Sequence, residues 1–170
     1  MNNMGKGSQY GDLSAILIDN LPFWVDRYRA PNKDIVLMDN WEEKIEKMAD
    51  GVINENITSL TGVPSWTLVL FNRVLENTGA SSIKEVWPNL ELFMHGGVRF
   101  DPYREQLNKI APGINYLETY NASEGYFGIQ YEQGVQDFLL MLDYGIYYEF
   151  IPMSEFDDEN PNVLSLEDVQ

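Results

Sequence analysis

The stretch from Leu90 to Thr119 constrains the fold more than any other part of the chain. Leu90–Met94 is a short, nearly continuous apolar run, the pattern of a strand buried on both faces. Asp101-Pro102 then reads as a helix cap followed by proline at the first helical position. Tyr103, Leu107, Ile110 and Ala111 continue a helical stripe, and Pro112-Gly113 stops it. Ile114–Thr119 is a second strand. Strand, helix and strand within about thirty residues form a β-α-β unit, whose strands run parallel through a right-handed crossover.

The flanking segments extend this unit. Asn40 caps a helix, with Glu43 at capping-box spacing, and Trp41, Ile45, Met48, Ala49, Val52 and Ile53 share one face. Glu43 and Lys47 can pair on the exposed side. Leu60–Pro64 reads as a short strand or turn. Ser65 then caps a helix, apolar nearly all round and so deeply buried, that ends at Gly79. Leu13–Ile18 fits either a strand or a buried helix. Phe127–Tyr131, Phe138–Asp143 and Ile146–Ile151 read as strands, the last two an antiparallel hairpin about Asp143-Tyr144-Gly145. The expected fold class is α/β: a partial, mostly parallel sheet with flanking helices, plus antiparallel C-terminal strands. Residues 1–11 form a loose start, 12–152 the folded unit, and 153–170 an acidic, mobile tail.

Composition removes several function classes. A chain of 170 residues with 44% apolar and 13% aromatic residues can bury a core as one domain. It has no cysteine, which excludes disulfides, thiolate metal sites and a cysteine nucleophile. Its only histidine, His95, excludes a multi-histidine metal site. The net charge of −16 argues against nucleic-acid and anionic-membrane partners. Residues 86–170 carry 15 acids against 3 bases, so an anion bound there needs a metal ion or backbone N–H groups. Met1–Gly11 lacks the apolar core of a signal peptide and no apolar run could span a bilayer, so the expected location is cytoplasmic.

Ligands of open α/β sheets bind beyond the carboxyl ends of the strands. Two loops are expected at that edge: His95-Gly96-Gly97, and Tyr120-Asn121-Ala122-Ser123-Glu124-Gly125. The glycine pair lets a flat ligand approach the backbone. Tyr120 offers a ring for stacking a base, Ser123 a donor to a phosphate oxygen, and Glu124 a hard oxygen ligand for Mg²⁺. Each also has a plain structural explanation: a Gly-Gly is commonly a turn and a tyrosine after a strand commonly packs. His95 either touches a substrate carboxylate or hydrogen-bonds a neighbouring loop. Arg99 and Arg104 face an anion or make surface ion pairs. Asp143, Tyr147 and Glu149 line a pocket or alternate on a sheet face.

The segment Thr-Tyr-Asn-Ala-Ser-Glu-Gly at 119–125 is similar to the Tyr-Gly-x-Ser/Thr-Glu motif of adenylate-forming enzymes. More specifically, the chain resembles the auxin-responsive acyl-acid amido synthetase family, in its bacterial branch. The landmarks are Gly-Asp-Leu-Ser-Ala-Ile-Leu-Ile at 11–18, Gly-Val-Pro-Ser-Trp at 62–66, Trp-Pro-Asn-Leu-Glu at 87–91, His-Gly-Gly-Val at 95–98, Glu-Thr-Tyr-Asn-Ala-Ser-Glu-Gly at 118–125 and Tyr-Glu-Phe-Ile-Pro at 148–152. The likeness covers about residues 8–168. The resemblance implies activation of a carboxylic acid by ATP to an acyl-adenylate, then amide formation with an amino acid. It implies that Tyr120 and Asn121 lie at the adenine, that Gly96 and Gly97 flank the adenine and acyl site, and that His95 and Val98 lie on the substrate side. Ser123 and Glu124 take the catalytic positions, at the phosphate and at Mg²⁺. Asn121 stands where the wider superfamily has glycine.

The family's Ser/Thr/Gly-rich phosphate loop, its Arg-containing stretch ending in a ribose-holding Gly-Asp, and its small C-terminal domain have no counterpart in these 170 residues. The chain thus resembles the middle of the large N-terminal domain, and by itself is expected to be inactive. A non-catalytic nucleotide- or acyl-binding module and a ligand-free structural remnant are the alternatives. A partial sheet leaves edge strands and apolar faces open, which predicts self-association.

Overall fold

The computed structural model describes residues 2–5, 8–10 and 13–169. Its elements, in chain order, are β1 (Asn2–Gly5), β2 (Ser8–Tyr10), α1 (Leu13–Asp19), α2 (Lys33–Val36), α3 (Trp41–Val52), β3 (Ser59–Gly62), α4 (Pro64–Thr78), α5 (Ile83–Val86), β4 (Leu92–His95), α6 (Asp101–Ile110), β5 (Asn115–Ala122), β6 (Gly125–Gln130) and β7 (Phe138–Leu140). Short 3₁₀ turns occupy Val25–Tyr28 and Met153–Glu155. Among the described residues no helix is long and apolar enough to cross a membrane.

Five strands form one sheet in the order β3-β4-β5-β6-β7. β3, β4 and β5 are parallel, and β6 and β7 continue the sheet antiparallel. This is the expected mixed α/β architecture, with the β4-α6-β5 unit at its centre. The register pairs Phe93 with Tyr116 and His95 with Glu118. Since strand side chains alternate between faces, Phe93 and His95 point to one side and are buried, while Leu92 and Met94 point to the other and are half-buried.

The core lies on the first side. Phe71 and Val74 of α4, Ile83 of α5, Leu107 of α6, and Trp87, Leu90 and Phe93 are buried together. Trp87 packs edge-on against Phe71, ring centroids 5.9 Å apart. Its indole N–H donates to the Val52 carbonyl at 2.9 Å, so the largest buried ring leaves no unpaired donor.

α3 forms as its sequence requires. The Asn40 side chain accepts from the Glu43 N–H at 3.0 Å, and Glu43 turns outward to pair with Lys47 at 2.7 Å. Ile45, Ala49 and Val52 face the core. α1 resolves the ambiguity at 13–18 in favour of a helix.

Several expectations change. Ser65 is not a cap: Val63 occupies that position and Pro64 opens α4, where its missing N–H is no loss. α4 is amphipathic rather than buried all round, with Trp66 and Val69 exposed. α6 starts one residue earlier than expected, with Phe100 at its cap position, and Asp101 pairs with Arg99 at 3.3 Å instead of capping. The hairpin expected about residues 143–145 does not form. β7 ends at Leu140 and pairs with β6, while Phe150 bridges to Leu164 in the tail. Gly128 makes the β6–β7 pairing possible, because a Cβ there would lie only 3.0 Å from that of Phe138. The expected loose start includes the paired strands β1 and β2, while residues 1, 6, 7 and 11 lie outside the described residues.

The face assignment is testable by unfolding in urea. Phe93→Ala removes a fully buried ring and should cost about 3–5 kcal/mol. Leu92→Ala, on the half-buried face, should cost less than half as much.

Candidate functional site

The parallel strands stop at a common rim. The register aligns Gly62 of β3, His95 of β4 and Glu118 of β5 in one row. Just beyond that row, the Thr119 hydroxyl donates to the His95 carbonyl at 3.2 Å. Gly96 lies against the Thr119 backbone so closely that any side chain at 96 would collide with the Thr119 carbonyl. Gly97 adopts φ +81°, a left-handed conformation that glycine takes without strain, and a Cβ there would touch Val63 at 3.6 Å. The glycine pair thus bridges the ends of β3 and β5 and brings bare backbone to the rim.

The segment 120–125 is placed differently from the expectation. It is not a loop leaving the end of a strand. β5 runs on to Ala122, which pairs with Gly125 of β6, so Ser123 and Glu124 form the tip of a two-residue hairpin. The cause is β6, which folds straight back along β5 and continues its ladder through a bulge at Tyr120/Asn121. Tyr120, 58% exposed, follows Thr119 in β5, with its ring 5.3 Å from that of Phe127 in β6. Asn121 pairs with Tyr126 in the arm. At ~3.3 Å per strand residue, Ser123 stands on the order of 13 Å along the arm from Thr119. The rim therefore gathers Gly96, Gly97 and Thr119, with Val98 exposed just after the glycines, while Tyr120 begins the arm against Phe127 and Ser123 and Glu124 ride at its far end.

His95 contributes its carbonyl to the rim but not its imidazole. The ring is 2% exposed and stacks on Phe100, centroids 3.9 Å apart and planes 19° apart. Phe93 and Tyr116 complete the cage. The alternation that buries Phe93 also buries His95, so the ring turns away from any ligand at the strand ends. The neighbouring-loop hydrogen bond is also not made, since Nδ1 has no hydrogen-bond partner among the described residues. Burial, reinforced by the nearby positive Arg104, lowers the His95 pKa to about 4.

Arg104 lies over the rings of Phe100 at 4.5 Å and Tyr116 at 6.0 Å, a cation–π arrangement. Glu118 is held above the usual carboxylate range by burial and by the negative Asp101, partly opposed by Arg104. Arg99 is exposed and paired only with Asp101. Asp143, Tyr147 and Glu149 are exposed on irregular chain rather than on a sheet face.

No group of three or more metal-ligating side chains occurs among the described residues. Glu124 is exposed at the hairpin tip, and a single carboxylate there is chemically compatible with Mg²⁺ carried by a polyphosphate, an ion that keeps waters and phosphate oxygens and takes only one or two protein carboxylates.

Sequence reasoning missed Thr119 as the residue that ties the two strand ends. It also missed a cavity of about 330 Å³ beside Val63, bordered by Trp41, Lys44 and Trp66. The helical spacing of Trp41 and Trp66 reads as core, and nothing in the sequence signals that α1, α2, α3 and α4 leave a space between them.

Residues 2–116 match the family model described as the GH3 family N-terminal domain. The matched span ends within β5, before the 118–125 segment. A solved structure described as "Crystal structure of CmiS6" aligns with a TM-score of 0.34 and 17% identity over 53% of this chain. This chain spans 20% of the length of that one. No curated protein matches the chain.

The buried imidazole predicts a pH dependence. The folded protein holds the His95 proton more weakly than the unfolded chain does, so acid favours unfolding. Stability contributed by neutral His95 should be present above pH 6.5 and be lost as pH falls toward about 4. Urea midpoints of wild type and His95→Phe, compared across that range, should diverge, with the wild type falling more steeply.

Proposed function

We infer the activity from one premise: this chain belongs to the GH3 family, whose N-terminal-domain model covers more than half of it. We propose that it serves an acyl-acid amido synthetase of the bacterial-branch type that its landmarks resemble. A carboxylate oxygen attacks the α-phosphorus of ATP, the bond to the bridging oxygen breaks, and pyrophosphate leaves. The amine of an amino acid then attacks the acyl carbon, loses a proton, and AMP leaves as the amide forms.

The rim supports this reading by its shape. Gly96 and Gly97 present backbone without side chains, as an adenine ring requires for close approach, and Tyr120, next after Thr119 in β5, carries an exposed ring available for stacking. Val98, exposed at the same edge, borders the acyl side. Asn121 lies next along the arm. The Ser123 hydroxyl donates to a phosphate oxygen, and Glu124 carries the Mg²⁺ that offsets phosphate charge in this acidic half of the chain. In a cell the expected compartment is the cytoplasm, where ATP and amino acids are abundant.

For the 170 residues alone, binding without turnover is the favoured reading. They contain no Ser/Thr/Gly-rich phosphate loop, and adenylation depends on holding the leaving pyrophosphate in line. The hairpin also sets Ser123 and Glu124 well out from the glycine pair. Calorimetry of the full chain should show Mg²⁺-dependent ATP binding, weakened about tenfold by Glu124→Gln. Pyrophosphate release should stay at background with a panel of carboxylic acids. Robust Mg²⁺-dependent release would refute inactivity, and absence of any ATP binding would refute the nucleotide site.

A second partner is a copy of the chain itself. Leu139, 56% exposed, continues the half-buried face of Leu92, Met94, Leu117 and Ile129 toward the β7 edge. Open apolar faces and edges favour pairing. Sedimentation should show dimers or larger species, and a clean monomer at high concentration would count against this.

A further inference from the structure

A notch of about 90 Å³ opens between α6, the start of β5 and the chain that follows β6. It is bordered by Arg104, Asn115, Tyr116, Gln130, Gln133 and Gly134. We propose that it binds a small tetrahedral oxyanion of the phosphate or sulfate class, held by the Arg104 guanidinium and the side-chain amides of Asn115 and Gln133. No nucleotide is involved. Asn115 begins β5, roughly 13 Å along the strand from Thr119 at the rim, so this site stands or falls apart from the activity proposed above.

The arginine is held in place and yet keeps its donors. Its guanidinium carbon lies 4.5 Å from the Phe100 ring centre and 6.0 Å from that of Tyr116. Aromatic rings engage the flat face of a guanidinium, whereas its hydrogen bonds leave from the edge. That edge carries five N–H donors, and none has an acceptor among the described residues. In a chain of net charge −16 this is unusual. Arg29, Lys33, Lys47, Arg73 and Arg99 each pair with a carboxylate. Glu118 lies within electrostatic reach of Arg104, and still no ion pair forms. A group already ordered by its rings loses little freedom when an anion arrives.

The other wall is fixed as well. Gln130 uses both ends of its amide: Oε1 accepts from the Glu118 N–H at 3.0 Å, and Nε2 donates to the Val135 carbonyl. This ties the chain after β6 to β5 and holds Gln133 and Gly134 at the notch, where Gly134 turns the chain at φ +83°. The side chains of Asn115 and Gln133 are exposed and make no hydrogen bond among the described residues, so their amide donors are available.

Size and charge then select the ligand. One water needs about 10–15 Å³ of such space, so the notch admits a four-oxygen ion and excludes a nucleoside or a long acyl chain. No carboxylate borders it, so nothing there would hold an amine or a metal ion against Arg104. A guanidinium takes two oxygens side by side. Amides on β5 and on the following loop are left for the others, and a planar carboxylate has no further oxygens to offer them.

Heteronuclear NMR of the isotope-labelled full chain tests this, using sodium phosphate without Mg²⁺ at constant ionic strength. The Gly134 backbone N–H, the Asn115 and Gln133 side-chain amides and the Arg104 Nε–H should shift together along one saturating curve, while the Gly96 and Gly97 N–H signals stay in place. Sulfate should give the same pattern, acetate a weaker one and chloride none. Arg104→Gln should weaken phosphate at least tenfold, and Arg104→Lys less, since it keeps the charge without the fork. A urea midpoint near that of wild type confirms that each variant is folded. Should Arg104→Gln not fold, Gln133→Ala, on the exposed loop, should weaken phosphate severalfold without disturbing the rings. Absence of a saturating shift at the notch, acetate binding as tightly as phosphate, or unaltered binding by the folded variant would each overturn the proposal.

Discussion

The parallel pairing of β4 with β5 is the constraint on which both the core and the rim depend. Its register puts Phe93 beside Tyr116 and His95 beside Glu118. A slip of one residue would turn Leu92 and Met94 inward and push Phe93 and His95 out, because side chains alternate along a strand. Leu and Met could not reproduce the aromatic cage that Phe93, Phe100 and Tyr116 make around the imidazole. The same register brings Gly96 against Thr119, where only hydrogen fits. Core packing and rim geometry are thus two consequences of one alignment, and each resists its loss.

Much of this alignment is legible in the sequence. The run 90–94, the stripe through Leu107 and Ala111, and the stop at Pro112-Gly113 specify a β-α-β unit using local signals alone. Asn40 with Glu43 is equally local, and the cap forms as spelled. Signals failed where a distant neighbour decides. Residues 120–125 carry polar and small residues suited to a loop, yet β6 recruits them into a ladder. Residues 146–151 have strand-like composition, but β7 pairs with β6 and leaves them no ladder to join apart from the bridge at Phe150. Composition states what a segment tolerates; the partner on offer determines what it becomes.

The candidate site was legible in its parts and not in its arrangement. The glycine pair can be found from spacing, and it lies against Thr119 at the end of β5, one residue before Tyr120. The same spacing suggested that the His95 imidazole and the Ser123–Glu124 pair belong there too. Strand parity removes the imidazole, and the length of the hairpin removes Ser123 and Glu124 from the immediate edge. Both are properties of register, which a motif does not encode.

Charge gives the remaining step of synthesis. The half of the chain that builds β5 and its arm is strongly acidic, and two of its three cations are engaged: Arg99 with Asp101, Arg104 with the rings of Phe100 and Tyr116. An anion approaching the rim from that side meets repulsion, offset only by backbone N–H groups and whatever cation it brings. The other side of the rim is different. There Val63 borders a recess lined also by Ala15, Ile18, Val36, Trp41, Lys44 and Trp66, with a cation and no acid among its described lining residues, so the two sides of the glycine pair differ in the sign of their charge.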